Sequence, residues 1–82
     1  MHNFKIYIDL LNLQKCLSKY TLREYSIPFS IYFIEAANPD DACYEIMKRL
    51  MKIVLKQDNT IEGRIVCRKI RRHMRIDKVV SV

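Results

Sequence analysis

The stretch NPDDACYEIMKRLMKIVLKQ, residues 38–57, decides the architecture of this chain. Asn38 is a capping residue type, and Pro39 stands at the first helical position, where its missing N–H costs nothing. Asp40 and Asp41 complement the positive end of a helix dipole. Downstream, Ala42, Cys43, Ile46, Leu50, Ile53 and Val54 recur three and four residues apart, and Met47, Met51 and Leu55 widen that stripe. Glu45, Lys48, Arg49, Lys52 and Lys56 fall on the other side, and Gln57 to Thr60 close the element. The spacing therefore predicts one long amphipathic helix over 39–57 whose apolar face needs a sheet to cover.

Strand patterns flank it. Tyr25, Ile27, Phe29, Ile31 and Phe33 alternate with Ser26, Pro28, Ser30 and Tyr32, which predicts a half-buried strand with both phenylalanines on the core face. Pro28 cannot donate to a ladder and marks a strand start, an edge or a bulge. Phe4, Ile6 and Ile8 alternate with Lys5, Tyr7 and Asp9, predicting a second strand over 3–9. Leu10, Leu13, Leu17 and Tyr20 have helical spacing behind a capping Asp9, so a short second helix is expected near 10–20. Thr21 and Glu24 have capping-box spacing, but Pro28 follows so closely that a turn is expected there.

Beyond the long helix, residues 61–70 predict a strand, with β-branched Ile65 and Val66 at its centre, and residues 76–80 another. The residues between form either a connection or a helical turn over 68–75 that sets Ile70 and Met74 on one face. The sum is an α+β fold: one small domain over 1–82, with an antiparallel or mixed sheet of about four strands packed by the long helix. One long helix covers one face of a sheet. Tyr7, Tyr32, Ile34 and Val66 fall on the other by this alternation, and they are apolar enough to predict a homodimer.

Charge narrows the partner. The 82 residues carry 15 Lys and Arg against 9 Asp and Glu, a net charge of +6. Arg64, Arg68, Lys69, Arg71, Arg72, Arg75 and Lys78 crowd into 64–78, with Asp77 the only acid among them. Ile65, Val66, Cys67, Ile70, Met74 and Ile76 are interleaved, so this is a folded basic element rather than a solvated tail. Lys48, Arg49, Lys52 and Lys56 offer a second basic strip on the helix. A folded basic surface suits nucleic acid or another polyanion. The runner-up is an acidic protein, docked by an adaptor or inhibitor of the kind that viruses and mobile elements carry. A structural subunit joined through sheet edges is a third reading, and a merely solvated face is the plain alternative. Neutralising about five phosphates would give a log–log salt slope of about −4. Tyr7 and Tyr32 are the candidate rings for stacking single-stranded bases. Gly63, the only glycine, rules out a Gly-x-x-Gly clamp or a phosphate-binding glycine loop.

Catalysis has little support. Cys16, Cys43 and Cys67 are odd in number and widely spaced, which fits a reduced, cytoplasmic protein. A metal site would require Cys67 and His73, with Cys43 or His2, to converge from separate elements, so neither metal nor cofactor is expected. His73 reads as a hydrogen-bonding surface residue, and Asp77 alone is available to orient it. No apolar run approaches the roughly 18–20 residues of a membrane span. The expectation is a non-enzymatic binding module.

Overall fold

In the computed structural model, which describes residues 1–21 and 23–79, the chain runs β1 (His2–Ile8), α1 (Leu10–Thr21), β2 (Ile31–Ala36), α2 (Pro39–Gln57), α3 (Gly63–Arg72) and β3 (Met74–Val79). The strands form one antiparallel sheet in the order β2-β1-β3. α2 starts as its sequence predicts. The Asp41 N–H donates to Asn38 Oδ1 at 2.8 Å, and Pro39 opens the first turn. α1 occupies the predicted short helix. Asp9 caps it, accepting from the Asn12 side-chain amide at 2.7 Å and from the Asn12 N–H at 3.3 Å. Those two bonds hold the Asp9 carboxyl below its ordinary pKa, the side-chain bond most of all.

Phe4, Ile6 and Ile8 of β1 project from one sheet face into a core filled by Ala42, Cys43, Ile46, Leu50 and Val54 of α2. Leu13 and Leu17 of α1 and Val66 and Ile70 of α3 complete it. α2 touches all three strands as well as α3, so it is the element on which the others are assembled.

The structure corrects two expectations. Among the described residues the sheet has three strands rather than about four, because the stretch predicted as a strand over 61–70 lies mostly in α3. A strand would have put Arg68 on the same face as Val66 and Ile70. A helix buries those two residues, four apart, and turns Arg68 outward. Gly63 permits the close seating of α3 on α2, since a Cβ there would meet Met51 Sδ at 3.0 Å. The strand predicted over 76–80 is β3; Val80 and the side chain of Lys78 lie outside the described residues.

The second correction concerns the phase of β2. Tyr25 and Ile27 are buried, but in an irregular segment, and regular pairing starts only beyond Pro28. The register then sets Tyr32 beside Ile6 and Ile34 beside Phe4, on the inner face. Phe29 and Phe33, expected in the core, are 64% and 70% exposed. Tyr32 and Ile34 therefore leave the outer sheet face, and Val66 belongs to α3; Tyr7 stays on that face, joined by Ile31 and Phe33.

The end of α2 is tied to the segment following α1 by Asp58, a buried acid. Its carboxylate accepts from Thr60 Oγ1 at 2.5 Å, the Thr60 N–H at 3.1 Å and the Tyr25 hydroxyl at 2.9 Å, with Arg23 at 3.5 Å. These bonds, led by the Thr60 hydroxyl, lower its pKa from 3.8 to about 2. A depressed carboxylate stabilises the fold fully above its unfolded pKa and loses that contribution as pH falls through the folded one. The urea midpoint is accordingly expected to drop as pH falls from about 4 to about 2. Asp58→Asn should be less stable at neutral pH and should lose most of that acid dependence. An unchanged acid slope in the variant would assign it to other carboxylates.

Candidate nucleic-acid interface

The predicted basic segment is divided by the fold into surfaces that point differently. In α3, Arg64, Arg68, Arg71 and Arg72 are all exposed, while Val66 and Ile70 are buried. At about 100° per residue these four side chains share an arc of about 100° opposite the core-facing side. Helical folding has therefore converted an irregular run of cations into one arginine stripe. Arg64 lies 3.9 Å from Glu62, and Arg68, Arg71 and Arg72 have no ion pair among the described residues.

Lys69 belongs to another surface. It is half-buried between α3 and α1, with Nζ 3.5 Å from Cys16 Sγ and 5.2 Å from the Tyr20 ring centroid. Arg75 starts the exposed side of β3 and lies over the Tyr7 ring at 4.5 Å. Lys5 approaches the same ring at 4.9 Å and the Phe33 ring at 5.8 Å. Of the two tyrosines expected to stack bases, Tyr7 is on this outer face; Tyr32 is on the inner face, edge-on to Phe29 at 6.3 Å. Sequence reasoning missed Phe29 and Phe33 as surface residues, and the signal that finds them is Pro28, which breaks the alternation carried over from Tyr25.

The strip on α2 does not join the α3 stripe. Met51 and Leu55 face α3, through Gly63 and Cys67. Helical geometry places Arg49, Lys52 and Lys56 about 80–140° around α2 from that side. Lys48 pairs with Glu45 at 3.6 Å and lies over the Tyr44 ring at 4.9 Å. The two basic strips thus flank different sides of the helical layer.

The thiols and imidazoles are engaged separately. Cys67 Sγ lies 3.2 Å from Met51 Sδ, and burial pushes the Cys43 and Cys67 thiols above their ordinary pKa. His73 Nδ1–H donates to the Lys69 carbonyl at 2.8 Å and closes the end of α3. Among the described residues no three His, Cys, Asp or Glu side chains are placed to hold a metal ion, and no helix is long and apolar enough to cross a membrane. Comparison with protein families, curated proteins and solved structures finds no match to this chain.

Proposed function

We propose that this protein is a non-enzymatic module that holds nucleic acid through the arginine stripe of α3. The carrying observation is that Arg64, Arg68, Arg71 and Arg72 share the exposed side of one helix with a single weak counter-ion contact among the described residues. Arg71 and Arg72 in the last turn complement the negative helix end and have a structural explanation. Arg64 and Arg68 have none. The first turn of α3 has no acid, and Arg64 opposes the dipole there. Arg64 with Arg68, and Arg68 with Arg72, are like-charge pairs four apart, each costing the isolated helix about 0.2–0.5 kcal/mol. A polyanion relieves that repulsion.

Guanidinium groups grip phosphate two bonds at a time, and a helix of α3's length spans about 15 Å, enough to meet several phosphates along a duplex. The stripe offers arginine alone, without the Asn or Gln that reads adenine, which favours backbone contact over base readout. Fluorescence anisotropy with a labelled duplex across a salt series tests this reading. With these four contacts alone the log–log slope should be about −3.6, and Arg71→Ala/Arg72→Ala should bring it to about −1.8. A flat salt response would remove nucleic acid as the partner; a nuclease-resistant complex with one protein would move the stripe's role to an acidic protein surface.

A further inference from the structure

The free edge of β2 points to a second copy of this chain. Hydrogen bonding in an antiparallel ladder alternates along a strand, so one bond sets the phase of the rest. The Ile8 N–H donates to the Ser30 carbonyl at 2.7 Å. Tyr32, Ile34 and Ala36 therefore turn their backbone groups toward β1, and Ile31, Phe33 and Glu35 turn theirs away, along the open edge. The opposite side of β1 agrees, since the Asp9 N–H donates to the His73 carbonyl at 2.9 Å, in phase with Tyr7↔Arg75 and Lys5↔Asp77.

Two of the three residues whose backbone groups are unpaired among the described residues, Ile31 and Phe33, also present apolar side chains. Phe33 is 70% and Ile31 43% exposed, with exposed Phe29 just before them. Proteins protect such edges with charge, proline or bulges. β3, at the other edge, contains Arg75, Asp77 and Lys78 in six residues. β2 contains Glu35 as its only charge and no proline.

We propose that two copies pair antiparallel through β2, about a two-fold axis at Phe33, so that one sheet continues through both. That register uses every outward-facing backbone group of β2: Phe33 meets the second copy's Phe33, and Ile31 meets its Glu35. An isologous contact of this kind requires a self-complementary strand, and β2 satisfies it at one position. Moving the axis to Glu35 sets two carboxylates opposite each other; moving it to Ile31 runs the pairing toward Pro28 and off the strand. The Phe33 pair lies flanked by Lys5 from each copy, and cross-strand aromatic pairs are among the stabilising ones. Each copy carries +6, so screening by salt strengthens this association while it weakens nucleic-acid binding. The two readings are thereby separable.

Sedimentation equilibrium of the whole chain from micromolar to hundreds of micromolar, at low and high salt, tests the pairing. The expected result is a monomer–dimer equilibrium that tightens with salt, weakens about tenfold or more in Phe33→Lys, and is not weakened in Arg71→Ala/Arg72→Ala, which lowers the charge repulsion between copies. Phe33 is exposed, so the Phe33→Lys chain should keep its circular dichroism and melting temperature, which verifies that the loss is one of association. A monomer mass at every concentration overturns the proposal. So does equal dimerisation of Phe33→Lys, or a mass that climbs beyond the dimer, because two-fold pairing uses up the β2 edge.

Discussion

Leu50→Ala is expected to lose about 2–5 kcal/mol of folding stability, read as a fall in the urea midpoint at unchanged slope. Leu50 has no exposure to solvent and sits midway along α2. Truncation removes its transfer energy and leaves a cavity that the surrounding core cannot close without moving backbone. A chain of this size has a total stability of about 4–12 kcal/mol, so the variant should be partly unfolded at moderate temperature. Ile46→Ala, in the same core row, should behave alike. Lys52→Ala, exposed on the same helix, should change stability by no more than about 0.5 kcal/mol. Equal small effects at Leu50 and Lys52 would mean that α2 is not seated on the sheet as described.

The contrast between Leu50 and Lys52 is legible in the amino-acid pattern itself, because α2 combines a cap, a first-turn proline and an unbroken apolar stripe. Local and long-range preferences agree there. β1 is legible for the same reason, with three apolar residues on one face and three polar or amphipathic ones on the other. The basic region is not. Ile65 and Val66 are β-branched, and propensity favours a strand; the deciding signal is the four-residue spacing of Val66 with Ile70 and of Arg64 with Arg68 and Arg72. Tertiary burial against α2 outweighs local preference. In β2 the difference is one of phase. The irregular backbone around Pro28 exchanges the faces of everything downstream, so Phe33 moves from core to surface and Tyr32 from surface to core. The outer face keeps Tyr7 and gains Ile31 and Phe33, beside the charged Lys5, Glu35, Arg75 and Asp77. The stripe itself cannot be seen without knowing the period on which its arginines repeat.

Arg68→Glu should move binding and stability in opposite directions. Arg68 sits in the middle of α3, exposed, four residues from Arg64 and from Arg72 and three from Arg71. Glutamate turns each of those repulsions into an attraction. With Arg72 it has the favourable orientation, acid N-terminal to base, and mid-helix placement keeps the dipole contribution small. Summed over these three neighbours the fold should gain about 1–3 kcal/mol, seen as a raised urea midpoint. Duplex affinity at low salt should meanwhile fall about ten- to a hundredfold, since one phosphate contact is lost and a negative charge is placed at the centre of the stripe. Arg68→Ala should lie between the two on both measurements. A residue retained for packing or solubility would not show this opposition: binding would be indifferent to it, or would fall only as the fold did. Higher stability with weaker binding identifies Arg68 as a residue whose cost to the helix is offset by an anionic partner, and unchanged affinity in Arg68→Glu would end the assignment of α3 as the interface.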